Sequence, residues 1–94
     1  MLQRRMRNAI RRWEFFRSYN FTCCYCRVAF DEYTAMVMLE KDHKVPRAVL
    51  GDECEQPGNV IVACRTCNRK KGIKSYTEFM ALLYPDDEPD WVRE

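Results

Sequence analysis

Ninety-four residues, 47% of them apolar, with a net charge of +2, make one small domain with a modest core; a second domain is excluded, and a metal staple is a sensible supplement. No apolar run reaches the roughly 20 residues a membrane helix needs, and no segment is repetitive or low in complexity. Charge is unevenly spread: residues 1–30 carry seven Arg against Glu14 alone, residues 65–74 carry five bases and no acid, and acids collect after residue 85, which predicts a basic working face and an acidic tail.

Leu2, Met6, Ala9, Ile10, Trp13 and Phe16 fall on one helical stripe, and Arg4, Arg7 and Arg11 on the opposite one. This predicts a helix over residues 2–18 whose apolar side faces the core. Phe15 lies on the polar side, where the periodicity gives it no role. Tyr19-Asn20 marks a stop, and residues 21–26 read as a knuckle at the mouth of a short hairpin. Cys23 and Cys26, separated by two residues, are matched downstream by Cys64 and Cys67, and two such pairs can close one tetrahedral zinc site. Cys24 and Cys54 are left as free thiols. The Arg-rich first twelve residues hold no signal-peptide core, so the thiols are read as reduced and the chain as cytoplasmic.

Met36 to Leu39 is a short apolar run of strand length that ends in Glu40-Lys41-Asp42-His43, and a buried strand is expected there. About 15 residues containing Pro46, Gly51, Pro57 and Gly58 follow as an irregular loop, a length that usually serves function. Val60-Ile61-Val62 is the expected second strand, antiparallel to the first. From Arg65 or Thr66 a short helix should carry Asn68 and Lys71 and end at Gly72. Ser75 and Glu78 form a capping box for a last helix, with Tyr76, Phe79, Met80 and Leu83 at helical spacing before Pro85. The acidic tail that follows is expected to be loosely held, with Trp91 the one residue able to pin it.

Asp42, His43 and Asn68 supply a carboxylate oxygen, an imidazole and an amide oxygen. The two oxygens suit magnesium or manganese better than zinc. An imidazole changes charge close to physiological pH and can take a proton from water. His43 is the sole histidine, so a His-rich metal site is excluded. Adjacent strand residues point to opposite faces, so Asp42 and His43 can meet one phosphate only if the strand ends or bends there.

Cys23-x-x-Cys26, Asp42-His43-x-x-Pro46, Asn59 and Cys64-x-x-Cys67-Asn68-x-x-Lys71-Gly72, in that order, make the chain resemble the HNH endonuclease family over roughly residues 19–83. The resemblance implies a small α+β fold in a single domain, residues 1–94. It would comprise a basic helix (1–18), a zinc-stapled ββα-metal core (19–72), a C-terminal helix (73–84) and the acidic tail (85–94). It implies a DNA endonuclease with His43 as general base and one Mg²⁺ or Mn²⁺ between Asp42 and Asn68. Asn59 would brace the loop and aim the histidine, and the products would carry 5′-phosphate and 3′-hydroxyl ends. In that context the bases Arg4, Arg7, Arg11, Arg69, Lys70 and Lys71 are expected to meet phosphates. Many relatives carry a second His where this chain has Asn68, which leaves the preferred ion open. A zinc-stapled DNA-binding module without activity is the competing reading; it explains the cysteines and the basic face but not Asp42, His43 and Asn68 together. No dimer signature and no module for sequence specificity is visible.

Overall fold

The computed structural model describes residues 2–86; Trp91 and most of the acidic tail lie outside the described residues. The first helix, α1 (Leu2–Ser18), forms where its periodicity predicts, but only its last turns dock. Phe16 is fully buried, and Trp13 lies 5.9 Å from Phe21 between ring centroids. Phe15 gains the role its position on the helix did not suggest: it packs edge-on against Tyr19 at 5.4 Å, beneath the Lys41 ammonium. Met6 and Ile10, expected in the core, are more than half exposed. The reason is length, since 17 helical residues span about 25 Å while a five-residue strand spans about 17 Å.

The chain reverses through Asn20 and Phe21, whose φ angles of 56° and 52° are left-handed. A bridge between Thr22 and Ala29 then closes the small hairpin that carries Cys23 and Cys26. Next comes α2 (Glu32–Met38), which corrects the expected strand: Met36, Val37 and Met38 are helical, and β1 (Leu39–His43) begins only after them. Asp31 decides this. Its carboxylate accepts hydrogen bonds from the Tyr33 and Thr34 amides at 3.0 and 2.8 Å, satisfying donors that a helix start leaves unpaired. The bonds from Thr34 hold the Asp31 carboxyl below the usual carboxylate range.

Among the described residues the sheet has two strands, β1 and β2 (Val60–Cys64), antiparallel, with Leu39 opposite Cys64 and His43 opposite Val60. Pleating puts Glu40 and Asp42 on one face and Leu39, Lys41 and His43 on the other. The connection between the strands is less irregular than its Pro and Gly content suggests. It winds through α3 (Arg47–Leu50) and two 3₁₀ turns, Gly51–Glu55 and Pro57–Asn59. β2 runs directly into α4 (Arg65–Lys71), which stops at Gly72 with φ 56°. The predicted capping box at Ser75 and Glu78 opens α5 (Tyr76–Leu83). Phe16, Tyr25, Ala35, Leu39, Val62 and Phe79 form the core around the cysteines. No helix among the described residues is long and apolar enough to cross a membrane.

Replacing Asp31 by Ala should destabilise the zinc-loaded protein by about 1 kcal/mol, the usual loss for an N-cap. A denaturant midpoint that does not move would show that packing alone holds α2.

Candidate active site and zinc centre

The Sγ atoms of Cys23, Cys26, Cys64 and Cys67 all lie within 4.8 Å of one another, with Cys26 and Cys64 at 3.9 Å. Tetrahedral zinc with Zn–S near 2.3 Å requires sulfur separations of about 3.8 Å, so this donor set fits one zinc. All four are free thiols. Each pair is shaped by an amide that points at its first sulfur: Tyr25 N to Cys23 Sγ and Cys67 N to Cys64 Sγ, both 3.4 Å. Cys64 ends β2 and caps α4, while the Cys24 amide bonds Val62 O at 3.0 Å, fastening the first knuckle to the outer edge of β2. Burial raises the Cys64 and Cys67 thiols. Cys24 and Cys54 lie outside the cluster, as their spacing predicts.

Beside the zinc centre lies a buried polar node. Asp42 Oδ2 accepts from the Tyr25 hydroxyl at 2.5 Å, and Asp42 Oδ1 faces Lys71 Nζ at 3.3 Å. Lys71 Nζ also donates to the carbonyl of His43 at 2.9 Å. Burial, followed by the bond to Asp42, pushes the Tyr25 hydroxyl up, so it remains a donor. One turn earlier on α4, the Asn68 amide donates to Glu40 Oε1 at 3.0 Å. Helix α4 thus meets β1 in two staggered rungs, Asn68 with Glu40 and Lys71 with Asp42. Both carboxylate oxygens of Asp42 are taken by protein donors, and Asn68 does not share its partners. Asp42 and Asn68, the expected holders of one ion, thus each bond different neighbours, Asp42 to Tyr25 and Lys71 and Asn68 to Glu40.

Lys71 also leaves the expected set of phosphate contacts, because its side chain is only 2% exposed and is spent on Asp42. Arg4, Arg7, Arg11, Arg69 and Lys70 are exposed. Arg12, anchored by its bond to Leu39 O, lines an open groove with Asn8, Glu40, Lys41 and Asn68, so α1 and α4 border the same depression.

His43 ends β1 on the face opposite Asp42 and is partly exposed. Its Nε2 lies 2.9 Å from Glu55 Oε1. That hydrogen bond holds the Glu55 carboxyl below its usual range. Asn59 ties together the segments that bring these side chains face to face. Its Oδ1 accepts from Val45 N at 2.8 Å, and its Nδ2 donates to Val45 O at 3.0 Å and Cys54 O at 2.9 Å. Sequence reasoning missed Glu55. It lies in the long connection without a motif of its own, and its only signal was an acid between the Asp42-His43 pair and Asn59.

A family model for HNH endonuclease matches residues 23–74, more than half of the chain. The chain belongs to the HNH endonuclease family. No curated protein and no solved structure matches it. The matched span takes in both cysteine pairs, Asp42, His43, Asn59 and Asn68, and leaves out α1 and α5. For an HNH protein, the antiparallel strand pair followed by α4 is the ββα core, and the four sulfurs are positioned to hold a structural zinc.

Metal analysis should find one tightly held zinc per chain. A strong chelator should unfold the protein, because structural zinc supplies much of a small domain's folding free energy. Folded, zinc-free protein would exclude that role for the four cysteines.

Proposed function

We propose that this HNH protein is a metal-dependent DNA endonuclease that hydrolyses phosphodiester bonds with His43 as general base. The observation that carries the reading is the His43–Glu55 contact at the partly exposed end of β1, held in place by Asn59. A carboxylate on Nε2 favours the tautomer protonated there, which leaves the Nδ1 lone pair to take a proton from water. The same carboxylate stabilises the imidazolium that forms, as in other base–orienter pairs. Asn59 is a positioning residue, since it acts through the backbone on either side of the pair.

HNH nucleases use divalent ions, and an ion held here would supply Lewis-acid charge neutralisation to the phosphate. Asp42 and Asn68 are the proposed holders of Mg²⁺ or Mn²⁺, and Asp42 would then share its carboxylate among the ion, Tyr25 and Lys71. Arg4, Arg7, Arg11, Arg69 and Lys70 are the proposed phosphate contacts, and 5′-phosphate and 3′-hydroxyl ends the proposed products. The Lys71–Asp42 ion pair favours a second reading, a DNA-binding module without activity, because an internal cation already neutralises the carboxylate.

Supercoiled plasmid with magnesium, manganese or chelator separates the two. His43→Ala should still bind DNA while losing roughly 10²- to 10⁴-fold in cleavage rate, the usual contribution of a general base. Because its bond from His43 holds the Glu55 carboxyl below the usual carboxylate range, Glu55 should stay ionised on mild acidification, and its support of the imidazole should be lost only at lower pH. Wild-type cleavage by His43→Ala would overturn His43 as the base, and no cleavage by the native protein with any divalent ion would leave the binding module standing.

If the α1 arginines meet phosphates, affinity for DNA should fall steeply with salt as counterions are released. Neutralising Arg4 and Arg7 together should flatten the slope of log affinity against log salt by about 2. An unchanged slope would return that face of α1 to solvent.

A further inference from the structure

A second cluster of ligand atoms lies outside the zinc staple. His43, Cys54 and Glu55 each place one donor atom within 4.8 Å of the other two. Glu55 Oε1 is 2.9 Å from His43 Nε2 and 3.6 Å from Cys54 Sγ. Cys54 is buried, and its carbonyl is fixed by Asn59, so the sulfur is held beneath the other two donors. Glu55 is exposed and leaves the outer side open to solvent.

We infer that His43, Cys54 and Glu55 form a second metal site, one that takes a borderline divalent ion such as Zn²⁺ and thereby switches off His43 as a base. One sulfur, one imidazole nitrogen and one carboxylate oxygen match zinc, whereas magnesium prefers oxygen alone. Three protein donors with an open fourth position is an ordinary zinc coordination. Binding costs one proton: Cys54 gives its thiol proton to solvent, and the sulfur lone pair forms the bond to the ion. Neutral imidazole keeps its own proton but moves it. With the ion on Nε2, the proton must sit on Nδ1, which turns the nitrogen proposed to accept from water into a donor. The inhibitory half of this inference rests on the His43 base reading; the metal site does not.

Because His43 is the only histidine, ¹⁵N-histidine labelling gives one imidazole whose two nitrogens report the tautomer directly. Starting from protein with one zinc per chain, added Zn²⁺ should move the proton from Nε2 to Nδ1. Co²⁺ in place of that added zinc should produce a thiolate-to-metal absorption band that is absent in Cys54→Ser. Cys54→Ser, and independently the exposed Glu55→Gln, should weaken the second binding event by at least about tenfold, the lower bound seen even for outer-sphere partners. An imidazole spectrum unmoved by excess zinc, or the same cobalt band in Cys54→Ser, would overturn the site. Plasmid cleavage in magnesium should fall in step with occupancy of the second site. Full cleavage at full occupancy would remove the inhibition while leaving the metal site. Absence of cleavage without added zinc would instead count against the nuclease reading, and the imidazole spectrum would still decide the site.

Discussion

The four-sulfur centre is the constraint on which the rest of the fold depends. It joins a turn near residue 25 to a turn near residue 65, and both turns are built on β2. That closure adds a covalent-strength link to a hairpin otherwise held by its bridge, by hydrogen bonds to Val62, Asp42 and Tyr84, and by side-chain packing. Tyr25 connects this centre to everything near the proposed chemistry. Its ring packs against Phe79 and Tyr76 of α5, its carbonyl receives the Tyr84 hydroxyl, and its own hydroxyl reaches Asp42. The four-sulfur centre, the aromatic packing and the polar node are therefore mechanically one unit.

The node itself is a buried ion pair with additional hydrogen bonds, the only form in which burying such charges is affordable. Tyr25 supplies one donor to Asp42, and Lys71 divides its ammonium between Asp42 and the His43 carbonyl. Removing either charge would leave the other buried without its partner. The node fixes the backbone at His43 from below while Asn59 fixes the segments flanking it, so the imidazole is aimed by its supports on both sides.

Much of this was legible in the sequence. The cysteine spacing gave the zinc cluster because the ligand geometry of zinc is local and strict, and Ser75-Glu78 and Gly72 marked helix ends for equally local reasons. Met36 to Met38 misled because a short apolar run has no periodicity to separate strand from helix, and the deciding contact was the Asp31 cap five residues upstream. The Met6 and Ile10 stripe was read as core because amphipathicity shows which face could be buried, not how much body there is to bury it. The Asp42–Lys71 pairing and the His43–Glu55 contact were invisible for a different reason. Both depend on where a charged side chain lands after folding, and residues 29 and 12 positions apart carry no pattern that announces such a meeting.

The opposed directions of Asp42 and His43 on β1 give the two parts of the site unequal tolerance to change in length. Residues between Arg47 and Asp52 are on the surface, and added chain there can loop outward while Asn59 still clasps Val45 and the Cys54 carbonyl. Inserting or deleting a single residue within β1 has no such outlet, because pleating inverts every side chain beyond the change. The carboxylate would be turned to solvent and the imidazole into the core. The outer connection therefore has room to change in size, whereas β1 behaves as a reading frame for the centre and does not tolerate a shift.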